Sequence, residues 1–395
     1  MENSKLNEIK KLYDGYVLST YTRQDLCLVK GKGAWVEDSE GKKYLDFFPG
    51  WAVSGIGHCH PRVIRRIEEQ LKRILHVSNN YYNDVQPILA KKIIDYSFPG
   101  RVFFANSGAE ANEGAIKLAR RYGYPDRYEV ITMENSFHGR TLATLTATGQ
   151  SKVKEGFAPL PEGFKHVPFN DAKAFGAAVT SKTAAVIIEP IQGEGGINEP
   201  GEEYIKEISG ICREKDILFI VDEVQTCMGR TGKMFAYKHY GIEPDAMTLA
   251  KSLGGGLPIG ALVVSEKHKD VLGAGSHAST FGGSPIVSAA ALGVFEAIEQ
   301  EGLLENTVKM GRYIRGKLDE LKKENDIIAE VKGKGLMIGV RLNMEDASSV
   351  VYKCMREGLL INCTQKNILR IMPPITITKS LADIAMEKLS KALER

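Results

Sequence analysis

Apolar residues in this chain gather in short unbroken runs, each followed by a polar loop and an amphipathic stretch. Runs at 102–104, 130–133, 185–188 and 217–221 follow this rule, and a further one at 260–264 continues it. An apolar run of four or five residues without alternation reads as a strand buried on both faces. Repeated from roughly residue 61 to residue 299, the pattern predicts βαβ units, with a mostly parallel sheet between helices. The ends read differently. Residues 28–48 show strand patterning with glycine turns, which predicts a short antiparallel meander. The spacing of Val308, Met310, Ile314, Leu318 and Leu321 predicts an amphipathic helix over 306–323. Strands at 327–331, 336–342 and 368–371 and a last helix over 381–393 complete the reading. The expected fold class is therefore α/β. A large domain spans 56–300, a small α+β domain spans 301–395, and the N-terminal segment 1–55 joins the small one.

Composition narrows the function classes. The 395 residues carry 52 basic and 49 acidic side chains, a net charge of +3 with no long basic run, so nothing favours a nucleic-acid partner. The N-terminus lacks the apolar core of a signal peptide, and no stretch is long and apolar enough for a membrane span. Six scattered cysteines without a C-x-x-C pair fit free thiols in a reducing cytoplasm. His58-Cys59-His60 has metal-ligating residue types, but no second ligand cluster matches it, so no metal site is expected.

Candidate chemistry sits at the ends of the predicted strands. The run 217–221 ends in Asp222, and the element at 245–250 ends in Lys251. Ligands in open α/β sheets bind beyond the carboxyl ends of the strands, so both groups point into one region. An Asp and a Lys delivered in this way suit pyridoxal phosphate: the lysine forms a Schiff base, and the aspartate partners the pyridinium nitrogen. Gly254-Gly255-Gly256 after the lysine is too glycine-rich for a routine helix entry. Asn106-Ser107-Gly108-Ala109 follows the strand at 102–104 and opens a helix, offering free amides and a helix dipole to a phosphate. Phe137, just beyond the strand at 130–133, can stack on a planar ring, and Arg140 offers a fork to a carboxylate. Val224 can close the second face of such a ring, and Gln225 can donate to its phenolic oxygen. A dinucleotide-binding reading fails, since no G-x-G-x-x-G follows the first strand with an acid about twenty residues on.

Together these blocks resemble the class III, fold-type-I pyridoxal phosphate aminotransferases, and within them the acetylornithine and ornithine aminotransferases. The similarity runs from Tyr44-Leu45-Asp46-Phe47 through Gly57-His58-Cys59-His60-Pro61 to Leu369-Arg370, with the blocks at 106–113, 137–141, 188–196, 222–232, 251–258 and 279–283 in family order. The resemblance implies that Lys251 carries the cofactor and Asp222 pairs with its pyridine nitrogen. It implies that Phe137 and Val224 sandwich the ring, with Gln225 at the phenolic oxygen. Ser107 and the Gly108 and Ala109 amides would hold the phosphate. Thr280 matches a residue that reaches the phosphate across a homodimer interface.

Arg140 matches the residue for the distal carboxylate, and Arg370 the one for the α-carboxylate of glutamate or 2-oxoglutarate. Glu194 resembles the switch that neutralises Arg370 while an ω-amino donor is bound. Asn79, in Ser78-Asn79-Asn80-Tyr81-Tyr82-Asn83, belongs to a loop like that of the acetylornithine subgroup. Trp51 stands where relatives carry Ile or Tyr, at a position that lines the donor pocket, and Ser54 replaces a frequent Asn. The implied activity is transfer of the ω-amino group of N-acetylornithine to 2-oxoglutarate, within arginine biosynthesis. Ornithine, γ-aminobutyrate and succinylated diamino acids stay open as donors. A pyridoxal phosphate aminomutase of the glutamate-1-semialdehyde type lacks an arginine in the place of Arg140.

Overall fold

The computed structural model describes residues 5–394. Seven strands form its central sheet: β1 (Gly100–Ala105), β2 (Glu129–Met133), β3 (Phe164–Val167), β4 (Thr183–Ile188), β5 (Leu218–Asp222), β6 (Ala246–Leu249) and β7 (Gly260–Ser265). Their order across the sheet is β1-β7-β6-β5-β4-β2-β3. The neighbours from β6 to β3 are parallel. Strand β7 alone runs antiparallel, between β1 and β6. Every residue of β4, β5, β6 and β7 is buried, as runs without alternation require when helices cover both faces. This is the expected α/β fold.

Two smaller sheets accompany it. Leu28–Lys32, Trp35–Asp38 and Lys43–Asp46 form the predicted meander, and Leu359–Leu360 adds a parallel strand to its edge. The chain's first part is thus hydrogen-bonded to its last part. The other sheet, Ile328–Lys334, Met337–Leu342, Ile368–Ile371 and Asn362–Thr364, is wholly antiparallel. Helix Leu303–Glu324 begins three residues before its apolar spacing suggests, after Gly302 turns the chain at φ 62°. The last helix, Lys379–Leu393, starts at the Thr378 cap. Helices Lys5–Tyr16 and Ser348–Arg356 lie outside the sequence expectations. The first buries no residue and the second only Val350 and Cys354, so neither contributes much to the core. His58 pairs with Asp46 at 2.9 Å, while His60 caps helix Pro61–Leu71 and reaches Glu301 at 3.3 Å.

Candidate active site

Strand β5 places Asp222 at its carboxyl end, 4 % exposed, opposite Thr248 of β6. A carboxylate buried this deeply needs partners, and it has three. Its Oδ1 accepts from the Val224 amide at 3.0 Å. Its Oδ2 accepts from Asn112 Nδ2 and pairs with His138 Nδ1, both at 2.7 Å. Asn112 is held in turn by Thr248 Oγ1 at 2.8 Å. Burial works against a charge on His138, but the hydrogen bond and charge of Asp222 outweigh it and raise the imidazole's pKa. Glu189 lies close by, its carboxyl pushed up to about 7 by burial, and it accepts from the Phe137 and Gly193 amides at 3.1 and 3.2 Å.

Lys251 follows β6 in left-handed backbone, φ 46°, a conformation sparsely populated by side-chain-bearing residues. The turn aims its amine into a cavity of about 490 Å³ shared with Asp222, Phe137, Val224 and Gln225. Surrounding protein holds the amine below its ordinary value. Glu194 and Asp222 oppose that shift, and Arg370 adds to it. A lowered lysine keeps more of its neutral, nucleophilic form at pH 7.

The cavity's opposite wall is the start of helix Gly108–Gly123. Ser107 caps it by accepting from the Glu110 amide at 3.2 Å, and Glu110 reaches back to the Asn106 amide at 2.6 Å. The Gly108 and Ala109 amides, in the first turn, have no intrahelical acceptor. A Cβ on Gly108 would stand 2.8 Å from Val224 Cγ1, so this wall closes only with glycine. Gln225 approaches the backbone of Gly193 as closely: a Cβ there would lie 1.8 Å from Oε1. That oxygen is buried without a partner.

Arg370 enters from the small antiparallel sheet, 1 % exposed. Asn362, its register partner on the neighbouring strand, accepts through Oδ1 from both Nε and Nη2. Glu194 Oε1 accepts from Nη1. Arg140 also lines the cavity, exposed, its Cζ 5.7 Å from the Phe137 ring centroid. No hydrogen bond or ion pair engages its guanidinium among the described residues.

Residues 17–393 match the family model described as aminotransferase class-III. This chain belongs to the class-III aminotransferases. The acetylornithine aminotransferase of Caldanaerobacter subterraneus is 51 % identical, over 96 % of this aminotransferase and 97 % of the relative. That of Methanocaldococcus jannaschii is 48 % identical over 95 % of each chain. Among solved structures, an ornithine aminotransferase from Toxoplasma gondii, described with partial occupancy of PLP at its active site, superposes with a TM-score of 0.95. It shares 33 % identity, covering 98 % of this aminotransferase and 94 % of that chain.

The fold of this aminotransferase thus brings Lys251, Asp222, Ser107, Gly108, Ala109, Phe137, Val224, Gln225, Arg140 and Glu194 to one cavity. Arg370 joins them through Glu194. Three other expected residues stand elsewhere. Asn79 donates to the Ser279 and Gly282 carbonyls, each at 3.1 Å, and so braces the turn that carries Thr280. Thr280 is exposed on that turn. Trp51 packs against Arg370 outside the cavity lining. His138, Asn112, Glu189 and Asn362 join the site without a sequence signal of their own. The first three lie inside the family blocks, whereas nothing local marks Asn362.

Proposed function

We propose that this aminotransferase moves the ω-amino group of N-acetylornithine to 2-oxoglutarate with pyridoxal phosphate, giving the semialdehyde and glutamate for arginine biosynthesis. The observation that carries this reading is the Arg370–Glu194 pair, whose Glu194 lines the same cavity as Lys251 and Asp222. The names of the relatives support N-acetylornithine as donor. The structural likeness to an ornithine aminotransferase keeps ornithine as the second reading.

The residues present fit the cofactor. Phe137 and Val224 can flank a planar ring, and the free Gly108 and Ala109 amides with Ser107 can receive a phosphate. The unpartnered end of the Gln225 amide becomes a donor if its oxygen and nitrogen are exchanged, which suits a phenolic oxygen. When bound, pyridoxal phosphate supplies an electron sink that acidifies the C–H next to the reacting amine. The protein's part is to hold and move protons. Asp222, fixed by His138, Asn112 and the Val224 amide, would stabilise a proton on the ring nitrogen of the bound cofactor. Lys251 Nζ would take the proton from the substrate carbon and hold it for return. Glu194 neutralises Arg370 while an ω-amino donor occupies the cavity, then yields it to the α-carboxylate of glutamate or 2-oxoglutarate, with Arg140 gripping the distal carboxylate. We further propose a homodimer in which exposed Thr280 reaches the other copy's phosphate site. Exposed Phe281, on its turn, and Tyr81 and Tyr82, in the loop whose Asn79 braces that turn, supply apolar surface for such an interface. Among the described residues no helix is long and apolar enough to cross a membrane, consistent with a cytoplasmic site of action.

Adding one donor at a time and following the cofactor's spectral change tests the donor. N-acetylornithine should react with the highest kcat/KM, and a higher value for ornithine, γ-aminobutyrate or a succinylated diamino acid would reassign it. Arg370→Ala should slow the glutamate half-reaction by about ten- to a hundredfold, the worth of one charge-assisted pair, and the ω-amine half-reaction far less. Glu194→Ala should instead lower the preference for ω-amino donors over diacids, because an unpaired buried guanidinium is left beside the donor. Single-turnover rates of both halves decide: equal slowing by Arg370→Ala would make that arginine structural.

A further inference from the structure

The surroundings of Arg370 contain more than the Glu194 switch needs. Phe48 lies with its ring centroid 4.6 Å from the Arg370 Cζ, and Trp51 with its own at 5.1 Å. The two rings meet edge-on, centroids 5.5 Å apart. Trp51 reaches this place through an unusual backbone: it and Ala52 both sit in the left-handed region, φ 61° and 64°. Such a conformation persists only where neighbouring structure over-determines it. Here the Ala52 carbonyl accepts from Ser252 Oγ at 2.6 Å, the Phe47 carbonyl from the Met372 amide at 2.8 Å, and the Gly55 carbonyl from the Ile375 amide at 2.8 Å. The segment is therefore tied both to the residue after Lys251 and to the stretch that directly follows the strand of Arg370.

We propose that Trp51, with Phe48, is the positioning element of the carboxylate half of the reaction. The rings and the Asn362 fork keep the guanidinium in place, so that Glu194 is the only partner that must leave when a dicarboxylate enters. The anchoring of Glu194 agrees with this. Its carbonyl accepts from Thr364 Oγ1 at 2.7 Å and from Gln365 Nε2 at 3.0 Å, so its backbone is held and only its side chain is left to swing. A guanidinium on an aromatic face keeps that attraction whichever anion occupies its edge. A preorganised clamp also spares the diacid the entropy of ordering it. Trp51 thereby acts on diacid binding through Arg370 and not on the ω-amino donor. This rests on the reading of Arg370 as the carboxylate clamp.

Half-reaction kinetics of the holoenzyme test it. Trp51→Gly removes the ring and suits the left-handed backbone. It should raise KM for both glutamate and 2-oxoglutarate about three- to tenfold, at little cost to kcat, and change KM for the ω-amine less than twofold. Trp51→Phe should restore the diacid values to within about twofold of wild type. A second readout needs no turnover. The chain has two tryptophans, so Trp35→Phe leaves Trp51 as the emitter. Glutarate should then change its emission saturably, and Arg370→Ala should remove the change. The proposal is overturned if Trp51→Gly raises KM for the ω-amine and not for the diacids. It is equally overturned if glutarate, shown to compete with 2-oxoglutarate, leaves Trp51 emission unaltered. A wild-type enzyme that converted no amine would refute the functional reading, while the glutarate emission would still judge the role of Trp51.

Discussion

Lys251→Ala is expected to abolish transamination, by at least about 10⁴-fold, because one amine serves as both covalent anchor and proton carrier. The fold should survive, since among the described residues no hydrogen bond or ion pair depends on the Lys251 side chain. Borohydride reduction of the wild-type holoenzyme followed by peptide mass spectrometry should place the cofactor on the peptide containing Lys251. Modification of another lysine would overturn the assignment. The lowered pKa of the amine gives a further expectation. The free lysine should react with an aldehyde at a pH well below that needed by an exposed lysine, and Glu194→Ala should extend that range, since it removes the largest charge that raises the amine's pKa.

The second large effect is expected from Asp222→Asn, which should retain cofactor yet lose about two to four powers of ten in turnover. A neutral amide cannot stabilise the proton on the ring nitrogen. His138 makes the consequence observable elsewhere. Its imidazole is raised because the Asp222 carboxylate outweighs burial, so in the Asn variant burial acts almost unopposed and the pKa should fall. A raised folded-state pKa contributes stability below the unfolded histidine value that is lost as pH rises through the folded one. Asp222→Asn should remove that contribution, so the variant's loss of stability should be larger at acidic than at alkaline pH. Comparable turnover in wild type and variant would leave Asp222 a structural role only, and imidazole NMR titration reads the histidine directly.

Asp222 was visible because an unbroken apolar run predicts a doubly buried strand whose carboxyl end faces the ligand region, and Lys251 because it ends the next strand-like element and opens a glycine-rich loop. The N-terminal start of helix Gly108–Gly123 was visible in the same way, through a strand, small residues and an amphipathic stretch. His138 and Asn112 were less so. Either reads locally as an ordinary polar residue, and only the closure of the fold brings both to 2.7 Å from the Asp222 carboxylate. Asn362 carried no local signal, because its role comes from antiparallel register with Arg370. The antiparallel course of β7 was likewise hidden, since a fully buried strand shows the same apolar run in either direction.

The sequence alone determined the alternation of strands and helices, the chemical set at the strand ends and the family blocks in their order, because these depend on short-range patterning and residue type. What only the tertiary structure decided is which charges are answered and by whom. Glu194 meets Arg370 from a segment far away in the chain, Asn362 meets it through antiparallel register, and two successive left-handed residues turn Trp51 onto the same guanidinium. Those pairings arise from strand register, from contacts across the chain and from backbone held against its local preference, none of which residue type or short-range patterning states.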